Sequence, residues 1–100
     1  MYVAMNRFKI NLGYEQEFIN VWKNRDSYLE TVSGFQSFNL LRGESNEAYT
    51  LFASHAIWDS REDFVKWTQS DAFRKAHANA RSNKEMYVCG PNFEGFEACL

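Results

Sequence analysis

Residues 63–81 read DFVKWTQSDAFRKAHANAR, and the fold turns on whether this stretch is one helix or two. In a single helix, Trp67 and His77 would lie about 15 Å apart and roughly 80° out of phase. Ser60 with Asp63 three residues on has the form of a capping box. A helix therefore starts near Arg61 and carries Phe64 and Trp67 on one face. Thr68, Gln69 and Ser70 interrupt the apolar pattern, and Ser70 suits the N-cap of a second helix. On that second helix Phe73, His77, Ala80 and Arg81 share a face. A break at Ser70 lets Trp67 and His77 turn toward one cavity. Such a cavity has an aromatic wall and an imidazole able to bind a metal or act as a base. The same stripe also fits two amphipathic helices with Phe and Trp in the core and a surface histidine.

Upstream of this stretch, Ala48 to Trp58 alternates Tyr49, Leu51, Ala53, His55 and Ile57 with Thr50, Phe52, Ser54, Ala56 and Trp58. Both faces are substantially apolar, so this strand is expected to be covered on both sides, by helices on one and by a second subunit on the other. His55 has no His, Cys or acidic residue at ligand spacing and reads as structural. The polar turn Gly43 to Glu47 pairs the strand with Phe35 to Arg42 as a hairpin. At the N-terminus, Tyr2 to Leu12 also alternates, with Asn6 falling on the apolar face among Ala4, Phe8 and Ile10. A buried amide there either bonds to nearby backbone or points into a pocket as a donor.

Between these strands, Phe18, Val21, Trp22, Arg25 and Tyr28 or Leu29 recur at helical spacing. Arg25 lies near the helix end, where a cation is favoured, and can also meet an anionic ligand. Toward the C-terminus, Met86 to Cys89 reads as strand, Gly90-Pro91 as a bend at an edge, and Asn92 to Cys99 as resumed strand. The order strand, helix, strand, strand, helix pair, strand predicts a ferredoxin-like β-α-β-β-α-β α+β sandwich in one domain spanning residues 1–100.

Seventeen per cent of the 100 residues are aromatic, a heavy load for a chain expected to bury about 60–65% of its unfolded surface. A dimer interface or a pocket lined by rings around a flat ligand would use the surplus. Net charge is −2 and the basic residues are scattered, which excludes the electrostatic footprint of a nucleic-acid binder. Cys89 and Cys99 form neither a disulfide framework nor a CxxC pair, as expected of a reduced, cytoplasmic protein. No apolar run approaches 18 residues, so no membrane partner is expected. There is no Gly-rich phosphate loop, HExxH site or GxSxG elbow. What remains is His77, Trp67 and Asn6. A lone histidine is a poor zinc site but a sufficient haem ligand, because the porphyrin fills four positions.

Asn6 after a first strand, DFVKW ending at Trp67, and SDAFRKAH ending at His77 together resemble the IsdG-type haem-degrading monooxygenases. These belong to the small dimeric α+β barrel proteins that include antibiotic-biosynthesis monooxygenases. The resemblance runs to the closing Gly90-Pro91 and Phe96-Glu97. It implies that His77 is the axial ligand of the haem iron. Trp67 would press on one porphyrin face and favour a ruffled ring, and Asn6 would lie on the other side as a hydrogen-bond donor to bound oxygen. Phe73 and Arg25 complete the expected haem-contacting set. Haem is then both cofactor and substrate, O₂ the co-substrate, and iron is released when the ring opens. A homodimer and an external electron donor or reductase are the implied partners. The chain is short between His77 and its last strand, so the resemblance does not carry over which tetrapyrrole product forms. Two alternatives stand beside this reading. One is a cofactor-free quinol or phenol monooxygenase of the same fold, with His77 or Tyr2 acting on a substrate proton. The other is a non-catalytic haem-binding protein.

Overall fold

The structure of the protein, a computed structural model, describes residues 1–25, 29–78 and 84–100, with 76–78 described by their backbone alone. The period-two pattern at the N-terminus forms β1 (Tyr2–Asn11), whose buried positions Tyr2, Ala4, Phe8 and Ile10 are those read from the alternation. Gly13 (φ 95°) makes the turn into α1 (Glu15–Lys23), which opens with Glu15 and Glu17 at the positive end of its dipole. Hydrogen bonds from its own backbone N–H and from the Thr50 hydroxyl hold the Glu15 carboxyl below the usual carboxylate range.

The hairpin of β2 (Phe35–Ser45) and β3 (Tyr49–Trp58) turns later than expected. Gly43 to Ser45 belong to β2, with a register irregularity between Arg42 and Ser45. The turn is made instead by Asn46, whose Oδ1 accepts from the backbone N–H groups of Ala48 and Tyr49 at 2.7 and 2.9 Å.

The central stretch forms two helices, α2 (Arg61–Thr68) and α3 (Asp71–Ala78). Each starts on a serine cap. Ser60 Oγ accepts from the Asp63 N–H at 3.2 Å, and Ser70 Oγ from the Phe73 N–H at 3.1 Å. The Ser60 hydroxyl also lies 3.0 Å from Asp63 Oδ2. Asp63 has a second neighbour. Gly34 (φ 85°) turns the chain into β2, and a Cβ there would run into the Asp63 carboxylate.

Met86 to Cys89 does not form the expected strand. Lys84–Met86 is a 3₁₀ turn that drives Met86 fully into the core, and the pairing of Tyr87 with Ile10 is an isolated bridge outside the named strands. Regular pairing begins after Pro91, as β4 (Asn92–Glu97), at the edge of the sheet and ending short of Cys99. Cys89 and Cys99 are exposed free thiols.

The sheet order is β2-β3-β1-β4, with every neighbouring pair antiparallel. With α2 and α3 together in the second helical place, this is the ferredoxin-like α+β arrangement. The helices cover one face, where Phe8, Ile10, Phe18, Phe52 and Met86 form one buried cluster and Tyr2, Ala4, Leu29 and Trp58 another. The opposite face carries half-buried Val3, Met5, Leu51, His55 and Ile57, with Leu41 and Phe96 exposed, and no element of this chain packs over it among the described residues. No described helix is long and apolar enough to cross a membrane.

Candidate functional site

Strand alternation sends Ala4 and Asn6 of β1, and Ser54 and Ala56 of β3, toward the helices. These four small or polar residues floor a cavity of about 490 Å³. Trp22, Arg25 and Leu29 wall it on the side of α1. Phe64, Trp67 and Thr68 of α2, with Phe73 of α3, wall it on the other, and Phe38 and Phe93 line it from β2 and β4. A volume in this range holds a single drug- or cofactor-sized molecule.

The walls are rings in contact with rings. Phe73 meets Trp67 edge-on, with centroids 4.8 Å apart and planes at 86°. Trp67 in turn leans on buried Trp58 at 5.5 Å. Phe64 stacks on Phe93 (5.5 Å, 7°), and Trp22 on Phe38 (5.5 Å, 22°). The capped break at Ser70 is what allows Trp67 and Phe73, on separate helices, to face one another across a corner of the cavity. The expectation for this break concerned Trp67 and His77, and the His77 half of it lies outside the described side chains.

Polar groups are few, and several lack partners among the described residues. Arg25 lies just beyond the end of α1, its guanidinium 4.1 Å from the centroid of the Trp22 ring. Its Nε is buried without a hydrogen-bond partner among the described residues, and so is Trp58 Nε1. Burial pushes the Arg25 pKa down, but a guanidinium remains charged at neutral pH. Arg25 is thus a cation at the cavity wall and not merely a complement to a helix dipole. Asn6 lines the floor, and its side chain makes no hydrogen bond to another described residue, so the backbone-satisfied amide is not what is seen. Buried polar groups are normally paired, and those left open in a cavity fit a ligand that brings its own atoms.

Of the residues singled out in the sequence, Asn6, Arg25, Trp67 and Phe73 all line this one cavity. His77 is in the last turn of α3, the helix that supplies Phe73, but its side chain lies outside the described residues. Tyr28 and Arg81 also fall outside them. Tyr2 is buried under β4, its hydroxyl occupying the space a side chain at Gly95 would need, and is not on the cavity lining. His55 is on the far face of the sheet. Sequence reasoning passed over Ser54 and Phe93. Ser54 was legible as the small polar position between Phe52 and Ala56 on the strand face that carries Trp58. Phe93 became a wall residue only through the register that sets β4 beside β1.

A family model described as antibiotic biosynthesis monooxygenase matches residues 1–79. A staphylobilin-producing heme oxygenase of Staphylococcus saprophyticus is 27% identical over 84 residues, covering 84% of this chain and 80% of the relative. Among solved structures, the heme-degrader MhuD from Mycobacterium tuberculosis, with two hemes bound in its active site, superposes with a TM-score of 0.77 at 28% identity. That match covers 100% of this chain and 97% of MhuD. SnoaB, a cofactor-independent oxygenase from Streptomyces nogalater, superposes with a TM-score of 0.70 at 21% identity, over 99% of this chain and 93% of SnoaB.

Proposed function

The chain belongs to the antibiotic biosynthesis monooxygenase family, and from that premise we propose that it is a haem-degrading oxygenase. The observation that carries this reading is the cavity, with aromatic rings on its walls, a cation at one side whose Nε is buried without a partner among the described residues, and the polar Asn6 and Ser54 on its floor. Haem matches each of these. It is flat and apolar across its rings, bears two carboxylates along one edge, and takes further ligands only along the axis through its iron. The relatives named for haem degradation, at 27% and 28% identity, support the same choice over a cofactor-free reaction.

In this reading His77, one helical turn beyond Phe73 in sequence, would hold the haem through its iron. Trp67 and Phe73 pack on the ring system, with Trp67 shaping it, and Arg25 pairs with a carboxylate while stacked on Trp22. Asn6, on the sheet floor, would supply a hydrogen-bond donor to the reacting oxygen. Bound haem supplies the iron that activates O₂ and the ring carbons that are oxidised, with electrons drawn from an external donor. The chain's part is to bind, orient and limit water, and a cavity walled by aromatic rings suits all three.

Replacing His77 with Ala is expected to abolish tight, spectroscopically normal haem binding while the far-UV dichroism and melting curve stay near wild type. An unchanged Soret band and axial-ligand signature in that variant would remove His77 from the site. The active unit in this proposal is a homodimer, in which a second copy covers the apolar sheet face of Val3, Met5, Leu51 and Ile57. Sedimentation equilibrium is expected to find a dimer at micromolar concentration, and a stable folded monomer there would defeat that part of the reading.

A further inference from the structure

Asn6 is not alone on the cavity floor. Ser54 is its direct cross-strand partner in the β1–β3 register and points to the same face. Only 5% of Ser54 is exposed, it lines the cavity, and its hydroxyl makes no hydrogen bond to another described residue. The two neighbours along the floor, Ala4 and Ala56, are too short to screen either polar group. The hydroxyl of a buried serine, facing a cavity without a partner among the described residues and set beside a half-buried amide that also has none, is a hydrogen-bonding position left for an occupant. Strand-interior packing alone would be served as well by alanine or valine.

We propose that Ser54 is a second hydrogen-bonding and specificity-determining residue of the oxygenase site, meeting the same small oxygen-atom ligand as Asn6 from the adjacent strand. This rests on the haem reading above. Directly opposed residues of an antiparallel pair hold their Cβ atoms about 4.5–5.5 Å apart. Two hydrogen-bonding groups at that spacing can reach one atom between them. A single amide leaves an oxygen ligand free to swing about its axis, whereas two groups on neighbouring rigid strands fix the direction in which it leans. The serine hydroxyl can also donate or accept, so it adapts to whichever way the Asn6 amide is turned. The direction of lean selects which ring carbon lies closest to the oxygen. Ser54 together with Asn6 thus sets the ratio of tetrapyrrole isomers.

The test uses the full chain loaded with haem, as wild type, Ser54→Ala, Ser54→Thr and Asn6→Ala. The infrared stretch of carbon monoxide on the reduced protein reports hydrogen bonds to a bound diatomic, and chromatography with mass detection reports the isomer ratio. Ser54→Ala is expected to move the stretch to higher frequency and change the isomer ratio, with haem affinity and melting temperature near wild type. Ser54→Thr, which keeps the hydroxyl, is expected to restore both. If Ser54→Ala does not fold, the near-isosteric Ser54→Cys is read in the same way. A stretch and isomer ratio that respond to Asn6→Ala but not to Ser54→Ala overturn this inference and leave the haem reading standing. A wild-type protein that forms no carbon monoxide complex at all overturns both.

Discussion

The helix-covered face of the sheet is filled at one end and hollow at the other, although the same two strands run under both. At the filled end, β1 offers Phe8 and Ile10 and β3 offers Phe52, and these close with Phe18 and Met86 into a cluster with almost no exposed surface. At the hollow end, the next positions on the same face are Asn6 and Ala4 on β1 and Ser54 and Ala56 on β3. Aromatic rings are plentiful at both ends, so the cavity does not come from a shortage of apolar material. It comes from four short side chains in a block. Interiors pack to near crystal density unless the floor is lowered, and here the rings that would have filled the space stand around it as walls. The aromatic surplus is thus divided between core and binding wall by side-chain size on two strands.

The difference can be broken most severely at the filled end. Phe18→Ala removes a fully buried ring that contacts Phe8, Trp22, Phe52 and Tyr87, and is expected to cost about 3–5 kcal/mol in denaturant unfolding. A loss below about 1 kcal/mol would mean that this end is not the stabilising half. At the hollow end the opposite balance is expected. Asn6→Ala leaves no described partner orphaned, so its melting curve should stay near wild type while single-turnover haem degradation slows by about 10²–10³. A destabilised variant with normal turnover would return Asn6 to a structural role. Ala56→Leu raises the floor, and is expected to weaken haem binding in a titration while costing at most about 1–3 kcal/mol of stability. Unchanged haem affinity would show that the occupant does not sit on the floor.

Much of this was legible in the sequence because it depends on local rules. The two serine caps, the break at Ser70 and the facing of Asn6 follow from spacing and periodicity, and each is found where expected. The end of the hairpin was misplaced because a register irregularity lets Gly43 to Ser45 stay in the strand, and turn composition does not report register. The apolar pattern of Met86 to Cys89 predicts strand. Burying Met86 is instead achieved by a 3₁₀ turn, a choice made by the core and not by the segment. Ser54 and Phe93 were missed for a related reason: their importance lies in which strand each one faces, and pairing between distant strands is set by the assembled sheet.

Gly34 illustrates how a residue outside the cavity can govern it. Its positive φ already disfavours any other residue by roughly 1–2 kcal/mol. Its bare α-carbon also makes room for the carboxylate of Asp63, the residue that completes the cap on Ser60 from which the Trp67 helix begins. A side chain at this position would therefore strain a turn and unseat a helix start in one step, with the displacement passed along α2 to the ring at its far end. Few substitutions at Gly34 can be silent. A loss of activity traced to this position would be easy to mistake for damage to the site itself, although the nearest cause is about one turn of helix away from Trp67.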